Sequence, residues 1–345
     1  MRIVVFKLNH LGDNVVFVPA IQALRERLPD AQITIVTTHR ERELYEGTLG
    51  PQEILLSQKQ AFDKSYRRPW MLALWLLRIR ARCPQACLVS FDQGTVAHLV
   101  AKHSGAKVRV GGNLDRIRVS DSLTEIIPIP ADGRPVSWNW SMAKALSRTL
   151  GDAAPWPEAP PPPNLSHLLP RGPKPKGSRK RVVVHSGASR AINRWPGKDF
   201  SAVASSLADD FEVVWITHGG TTGTAPAGTI STPVDSLSEF SEWVAGSDLF
   251  LGNNSGPMHF ANALGCSGVV VTGPSALGWN PFWYPERWTI LRHPDLYCAP
   301  CEKPSVALEG CTNLETPMAC LNYWSKEKVE DACRKRLADS REDAR

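Results

Sequence analysis

The sequence lacks any long hydrophobic run. No stretch of about 18 uninterrupted apolar residues occurs in it, which excludes an ordinary transmembrane helix. The opening segment (MRIVVFKLNHLGD) is apolar only in short pieces, because Lys7 and Asp13 interrupt it. It has neither a hydrophobic signal core nor a small-residue cleavage site, so we expect no secretory signal.

Two nucleotide-binding patterns and a cationic arm are also missing. No G-x-G-x-x-G follows the first apolar run, which leaves a dinucleotide-dependent dehydrogenase little support. No G-x-x-x-x-G-K-[ST] occurs, which disfavours a phosphate-loop NTPase. Basic and acidic residues are interspersed, so we expect no nucleic-acid partner.

The composition is typical of a globular protein. The chain has 345 residues, enough for two domains of about 150 residues each. Lys and Arg number 40 against 34 Asp and Glu, which gives a net charge of +6, suited to an anionic substrate or a membrane face. Eight cysteines without a secretory signal indicate a reducing compartment, so we expect a cytoplasmic protein.

Short β-rich runs alternate with helical patterns in both halves of the chain. This rhythm predicts an α/β protein with two parallel sheets, each covered on both faces. The predicted strands are 3–8, 33–37, 87–91, 108–110, 181–185, 213–217, 249–251 and 269–272. The predicted helices are 21–28, 40–45, 96–103, 138–150, 200–208, 237–245 and 258–264.

A proline-rich segment separates the two halves. Residues 155–175 contain nine prolines, a composition that predicts an extended, semi-rigid linker. We therefore expect an N-terminal domain at 1–152, a linker at 153–180, a C-terminal domain at 181–324, and a final helix and tail at 325–345. Ligands of such sheets bind beyond the carboxyl ends of the strands, so the cleft between the domains is the expected site.

The first candidate motif is the turn that leaves the first strand, residues 7–13 (KLNHLGD). Gly12 is predicted to permit a tight turn, and Asp13 stands where the next helix begins. An aspartate at that position is also an ordinary helix cap. The spacing therefore leaves a functional carboxylate and a capping residue both open.

The second candidate motif is residues 252–259 (GNNSGPMH), between a strand and a helix. Pro257 suits the first helical position, and Ser255 and Gly256 leave backbone N–H groups at the positive end of the helix, where a diphosphate could rest. His259 lies in the first turn. A capped helix with a hydrogen-bonded histidine explains the same pattern.

The third candidate motif is residues 185–196 (HSGASRAINRWP), directly after a strand. Its small residues allow a ligand to approach the backbone closely. Arg190 or Arg194 could hold a phosphate through forked hydrogen bonds. The alternative is a loop whose arginines are merely solvated.

Together these motifs resemble glycosyltransferase family 9, the family of the lipopolysaccharide heptosyltransferases. The likeness covers most of the chain. It consists of K-x-x-x-x-G-D at 7–13, G-A-S…R-W-P at 187–196, N-x-S-G-P-M-H at 253–259, A-x-A-L-G at 261–265 and T-G-P at 272–274, with a similar C-x-x-C region and final helix.

The resemblance implies a GT-B type fold, in which two Rossmann-like domains face each other across a cleft. It implies inverting transfer of a heptose-like sugar from a nucleotide-diphosphate donor to a lipopolysaccharide-type glycolipid or related envelope glycan, with no metal needed for the chemistry. Asp13 is then the general base. The acceptor-side candidates are Lys7, Asn9, His10 and Gly12. The donor-binding candidates are Ser186, Gly187, Ser189, Arg190, Asn193, Arg194, Asn254, Ser255, Gly256, Pro257, Met258 and His259.

The chain departs from the family pattern at two positions. Asn193 stands where the family usually has Lys, and Asn254 where it usually has Asp. One hypothesis is that amide hydrogen bonding replaces a Lys–Asp coupling, with Arg194 supplying the cation. Residues 217–228 also lack the acidic residue expected to hold the donor ribose. The sequence therefore leaves the identity of the donor open. The alternative function, which Asn193 and Asn254 suggest, is a degenerate member that binds a nucleotide or glycan without transferring a sugar.

Four cysteines form a late cluster, Cys298, Cys301, Cys311 and Cys320, with the spacing C-x₂-C-x₉-C-x₈-C. Four thiolates with one close pair can build a structural zinc site. The alternative is reduced cysteines that hold a surface loop in place. Either role would be structural, because four protein ligands would leave a zinc ion no open position for catalysis.

Residues 70–77 (WMLALWLL) are the nearest approach to a membrane segment, and Arg78, Arg80 and Arg82 follow them. The run is too short to span a bilayer. As a helix it is apolar on all sides, which predicts a buried helix. The alternative is a patch that docks on a bilayer, with its arginines meeting anionic headgroups, as expected of a peripheral protein on the inner face of the cytoplasmic membrane.

Overall fold

The computed structural model describes residues 1–112, 119, 121–170, 177, 179–218, 223–302, 308 and 310–339. The chain divides into two compact units, Met1–Asn164 and Leu165–Arg345. The boundary between them falls within the proline-rich segment. Parts of the expected linker (171–176 and 178) and of the expected tail (340–345) lie outside the described residues.

The first unit is built on a six-stranded sheet in which all paired strands are parallel. The strand order is β3-β2-β1-β4-β5-β6, with β1 Arg2–Phe6, β2 Gln32–Thr37, β3 Ile54–Leu56, β4 Ala86–Val89, β5 Val108–Gly112 and β6 Glu125–Ile127. Its helices are α1 Leu11–Val15, α2 Val18–Arg27, α3 Glu43–Glu46, α4 Lys59–Asp63, α5 Pro69–Arg80, α6 Thr95–Lys102 and α7 Pro135–Thr149.

The second unit repeats the same plan. Its parallel sheet has the order β12-β11-β10-β7-β8-β9, with β7 Arg181–His185, β8 Glu212–Thr217, β9 Ile230–Pro233, β10 Leu249–Asn253, β11 Gly268–Thr272 and β12 Trp288–Arg292. Its helices are α8 Gly197–Ala208, α9 Leu237–Val244, α10 Gly256–Ala263, α11 Ala319–Asn322 and α12 Lys326–Asp339. Counted from its own first strand, each sheet has the order 3-2-1-4-5-6 of a Rossmann fold.

The prediction of two Rossmann-like parallel sheets is confirmed. The predicted strands match the four central strands of each sheet, and the four strands that were not predicted are the edge strands β3, β6, β9 and β12. The central strands β7, β10 and β11 are buried along their whole length, whereas β9 is exposed at three of its four residues. An edge strand covers less of the core, so its sequence carries a weaker apolar signal.

The first part of the proline-rich segment packs against the first unit. Trp156 is buried, and its ring meets that of Trp140 on α7 edge to face at 4.7 Å. The guanidinium of Arg27, at the end of α2, lies 5.1 Å from the Trp156 ring and forms an ion pair with Asp152 at 2.9 Å. Aromatic and charged contacts thus fix a segment whose prolines cannot form regular backbone hydrogen bonds.

The helix α5 is buried on one face only, so the prediction of a fully buried helix is wrong. Trp75 and Ile79 face the core. Trp70, Leu74 and Leu77 are 66%, 51% and 66% exposed. A helix on the outside of a sheet has one side to bury, and here the opposite side is apolar as well. Among the described residues, none of the helices is both long and apolar enough to cross a membrane.

Candidate functional site

The carboxyl ends of β1 and β4 lie side by side in the first sheet, since Phe6 pairs with Val89. Lys7 directly follows β1, and its ammonium forms a buried ion pair with Asp92 and donates to Ser90 Oγ at 3.1 Å. The Lys7 side chain is fully buried. Its charge therefore lies beneath the loop that follows β1, where Asp92 and Ser90 already hold it, and its acceptor-side role stays a prediction.

Hydrogen bonds hold that loop in one conformation. Gln93 accepts from the Leu8 N–H at 3.1 Å and donates to Asn9 Oδ1 at 2.9 Å. The Asn14 amide donates to the carbonyl oxygens of Asn9 and His10, each at 3.0 Å. Gly12 lies inside α1 with no left-handed backbone, so the tight turn predicted for it is wrong. The hydrogen bonds of the Asn14 and Gln93 amides shape the loop instead.

Asp13 is the third residue of α1 and is half-buried. Its Oδ2 accepts from the backbone N–H of His10 at 3.3 Å, so the capping interpretation is confirmed for this oxygen. Its Oδ1 accepts no hydrogen bond from the described residues. Burial raises the pKa of Asp13, the charge of Asp92 raises it further, and the charges of Lys7 and His10 oppose both effects. A raised pKa makes this carboxylate a stronger base.

A third carboxylate joins Asp13 and Asp92. Glu41 follows β2, the neighbour of β1, and is only 6% exposed. Burial raises its pKa to about 7, and the negative charge of Asp13 contributes to that rise. Tyr45, whose hydroxyl donates to Asn14 Oδ1 at 2.6 Å, has a pKa raised first by burial and then by all three carboxylates. We call Asp13, Glu41 and Asp92 the acidic cluster.

In the second unit, Asn253 fixes the loop that follows β7. This fully buried side chain accepts from the Trp195 N–H at 2.8 Å and donates to the Ser186 carbonyl at 2.8 Å. Gly187 is buried beside it, whereas Ser189 is exposed. Asn253 belongs to the second motif but was not predicted as a site residue, because its role depends on β10 lying next to β7.

The helix α10 begins just after β10, at the same carboxyl-end edge of the second sheet as the loop that follows β7. Ser255, Gly256 and Pro257 are partly exposed at its first turn. Met258 is fully buried. His259 is also buried, 5.5 Å from the Trp279 ring, and burial lowers the pKa of His259 to about 4. Near neutral pH it is therefore a neutral hydrogen-bonding group and supplies no positive charge.

Several polar atoms at this edge are buried without a hydrogen-bond partner among the described residues. They are His185 Nδ1, Asn193 Oδ1, Asn254 Nδ2, Thr272 Oγ1 and Arg292 Nε. Each lies at or just beyond the end of a strand, or in the loop that follows β7. Buried polar groups are normally paired, so such a concentration is typical of a ligand site. The hydrogen bond proposed between the amides of Asn193 and Asn254 is not formed among the described residues.

The three arginines of this edge differ in their partners. Arg190 makes a forked ion pair with buried Glu302, so binding a phosphate would require it to leave that partner. Arg194 donates to the Ala188 carbonyl at 2.7 Å. Arg292, which the sequence did not point to, donates to the Gly273 carbonyl at 3.3 Å. Arg194 also donates to the Ser189 carbonyl at 3.4 Å, and Arg292 donates to Asn280 Oδ1 at 3.2 Å. Among the described residues neither arginine has a carboxylate partner, so an anion would compete only with neutral oxygen atoms for these two guanidinium groups.

The late cysteines come together in the second unit. Cys298, Cys301, Cys311 and Cys320 line one cavity of about 10 Å³. All eight cysteines of the chain are free thiols. Burial and the three neighbouring thiols raise the pKa of Cys320 to about 11. Within the described residues, no three Cys, His, Asp or Glu side chains are arranged to hold a metal ion, so zinc would require these sulfurs to draw closer, and it stays a prediction.

Comparison with known proteins places these features in context. Residues 164–311 match the family model of glycosyltransferase family 9 (heptosyltransferase). No curated protein matches the sequence.

Solved structures match the fold over nearly the whole chain. A glycosyltransferase family 9 protein from Veillonella parvula is 18% identical, with a TM-score of 0.71 over 98% of this chain and 97% of the other. The E. coli heptosyltransferase WaaC with ADP is 14% identical, with a TM-score of 0.70 over 97% and 100%. The E. coli ADP-heptose heptosyltransferase II is 18% identical, with a TM-score of 0.66 over 99% and 100%. The resemblance predicted from the motifs is thus confirmed: the chain has the GT-B type α/β fold of solved heptosyltransferases, and residues 164–311 carry the pattern of glycosyltransferase family 9.

Proposed function

We propose that this protein is an inverting glycosyltransferase. It moves a heptose-like sugar from a nucleotide-diphosphate donor to a lipopolysaccharide-type glycolipid or related envelope glycan at the inner face of the cytoplasmic membrane. One observation carries the proposal: the strand ends of the two sheets have opposite charge. The first edge, at the carboxyl ends of the strands of the first sheet, holds the acidic cluster. The second edge, at the carboxyl ends of the strands of the second sheet, holds Arg194 and Arg292, which have no carboxylate partners among the described residues.

The second edge suits the donor. A diphosphate is a double anion that needs fixed positive charge and N–H donors. Arg194 and Arg292 supply the charge, and the first turn of α10, at Ser255 and Gly256, supplies a positively polarised helix end. The solved relatives bind ADP or are named for ADP-heptose, which favours ADP-heptose as the first donor to test.

The first edge suits the acceptor. Asp13 Oδ1 has no hydrogen bond from the described residues, and the raised pKa of Asp13 lets it take a proton from an acceptor hydroxyl. In a single displacement, the acceptor oxygen forms its bond to the anomeric carbon as its proton passes to Asp13. The bond from that carbon to the diphosphate oxygen breaks, and the nucleoside diphosphate leaves with the electron pair.

The positive charges of the second edge would also stabilise this leaving group. Preorganised cations and helix ends are most effective where negative charge develops in the transition state. Arg194 and Arg292 could serve in place of a divalent cation, so we propose a transfer reaction that needs no metal.

Calorimetry with ADP-heptose, ADP, UDP and GDP tests the donor site. We expect ADP-heptose to bind, and Arg194→Gln to weaken it about 10- to 100-fold, because a charge-assisted hydrogen bond contributes about 1.5–3 kcal/mol. Arg148→Gln, which removes an exposed arginine of α7, is the matched control. Equal binding by Arg194→Gln and the parent protein would count against this edge as the diphosphate site.

A second candidate function is binding without transfer. Asn193 and Asn254 are buried, uncharged, and each has an unpartnered amide atom, so the edge lacks the charged pair that the resemblance implies. A protein that binds ADP-heptose in calorimetry but releases no ADP with any acceptor would fit this candidate. Release of ADP that depends on an acceptor would exclude it.

A further inference from the structure

We propose that the exposed face of α5 docks this protein on an anionic lipid bilayer. The inference deepens the proposed function, because it names the surface on which a glycolipid acceptor would be met. It rests on the exposure of α5 and on the distribution of charge along the chain, and vesicle binding can be measured without donor or acceptor.

The exposed face of α5 is an apolar stripe. Trp70, Leu74 and Leu77 are among the most exposed large apolar side chains of the first unit, at 66%, 51% and 66%. At about 3.6 residues per turn they lie on one side of the helix. Ala73 and Ala81 are also exposed on this side. A contiguous apolar stripe on a surface indicates an interaction site.

The core-facing side of α5 fixes this orientation. Trp75 and Ile79 are buried, and the Trp75 ring meets that of Phe62 edge to face at 5.1 Å. The stripe is therefore presented by a helix that is already anchored. It need not rearrange to meet a partner, so little conformational entropy is lost on docking.

The positive charge of the segment around α5 indicates an anionic partner. Residues 64–91 contain six basic side chains and no acidic one. The remaining 34 basic residues balance the 34 acidic residues of the chain, so this segment accounts for the whole net charge of +6. Its basic residues are Lys64, Arg67, Arg68, Arg78, Arg80 and Arg82. An apolar stripe inside a purely cationic segment matches an anionic bilayer, with apolar chains below and phosphates at the rim.

The arginines flank the stripe and are not neutralised. On the helix, Arg78 and Arg80 fall on opposite sides of the stripe, and both are exposed. Arg67 lies over the Tyr66 ring at 5.5 Å, and Arg82 donates to the Arg78 carbonyl at 3.0 Å. Among the described residues, none of these arginines has a carboxylate partner, so their charges are free for phosphates.

The test is flotation of the full-length protein with vesicles of phosphatidylcholine, alone or mixed with phosphatidylglycerol. We expect binding to the mixed vesicles and little binding to phosphatidylcholine alone. Leu74→Ser with Leu77→Ser should weaken binding roughly tenfold or more, because both exposed side chains lose their apolar contact. Leu314→Ser, which alters an 86% exposed leucine of the second unit, should bind like the parent.

A second pair of variants tests the charge. Arg78→Gln with Arg80→Gln should weaken binding to the mixed vesicles about 25-fold, since each basic residue near an anionic surface contributes about fivefold. Arg148→Gln is the control for loss of a single exposed charge. Equal binding to both vesicle types, or no effect of either double variant, overturns the proposal.

Two further results separate this inference from the others. The first result is self-association through the stripe. If the parent protein forms an oligomer that Leu74→Ser with Leu77→Ser dissociates, and the parent does not bind vesicles, the face belongs to a second copy of the chain and lipid docking is overturned. Failure of the proposed function has a different signature, because ADP-heptose binding and ADP release in detergent do not depend on vesicles.

Discussion

Replacing Glu41 by Gln should change how the stability of the protein depends on pH. Glu41 is 6% exposed, and burial together with the charge of Asp13 raises its pKa from 4.5 to about 7. The folded state therefore holds this proton more tightly than the unfolded chain does. The contribution of Glu41 to stability is greatest below pH 4.5 and falls as the pH rises to about 7, because the carboxyl of the unfolded chain ionises in this range while that of the folded protein stays protonated.

The size of the effect follows from that rise in pKa. A rise from 4.5 to about 7 corresponds to roughly 3 kcal/mol of stability lost by the parent protein across this range, at about 1.4 kcal/mol per pH unit. Glu41→Gln cannot ionise and is spared this loss. Relative to the parent, the variant should gain up to roughly 3 kcal/mol between pH 4.5 and pH 7.

Urea unfolding followed by tryptophan fluorescence measures this difference at several pH values. Any constant offset reports the change in packing caused by the amide, and only the pH-dependent part reports the ionisation. Glu26→Gln, which alters an exposed carboxyl of α2, should show no comparable trend. A free-energy difference between Glu41→Gln and the parent that stays constant across the range would refute the buried acidic cluster.

Three further predictions concern the second unit. Asn253→Ala should lower the free energy of unfolding by about 3 kcal/mol or more, measured by urea unfolding, because it leaves buried backbone groups of the loop after β7 unpaired; an effect below about 1 kcal/mol would contradict that role. Asn193→Lys and Asn254→Asp should each destabilise the protein by burying an unpaired charge, and their combination should recover part of the loss; additive losses would show that the two positions are not coupled. Elemental analysis decides between the two interpretations of the late cysteines: one zinc per chain that Cys320→Ser removes would support the zinc site, and a metal-free parent protein would assign these cysteines to a reduced surface loop.

The central strands could be predicted from the sequence, and the edge strands could not. β7, β10 and β11 are continuous apolar runs buried on both faces, and such runs are the strongest local signal of a parallel sheet. β6 has only three residues and is nowhere fully buried. It becomes a strand by pairing with β5, a contact that no local pattern records. The half-exposed α5 was missed for a related reason, since an all-apolar helix does not reveal which side meets the core.

The residues of the candidate site also fall into two groups, those that the local sequence predicts and those that depend on the pairing of strands. Asp13 and the start of α10 were predicted because each follows a recognisable strand and turn. Glu41 and Arg292 were missed, because each becomes part of the site only through the pairing of its strand with a neighbour. The role of Lys7 was also hidden: its spacing matched the motif, but its burial against Asp92 depends on β4 lying beside β1. Residues that act through neighbouring strands need the topology before they can be recognised.

Transfer by Asp13→Asn tests the central claim most directly. The variant keeps the size of the side chain and removes the proposed base, so ADP-heptose should bind as it does to the parent protein while acceptor-dependent ADP release falls about 10²- to 10⁴-fold. In the parent, the acid limb of the pH profile should lie above the ordinary range of an aspartate, since burial and Asp92 raise the pKa of Asp13. Transfer by Asp13→Asn at a rate close to that of the parent would contradict the account.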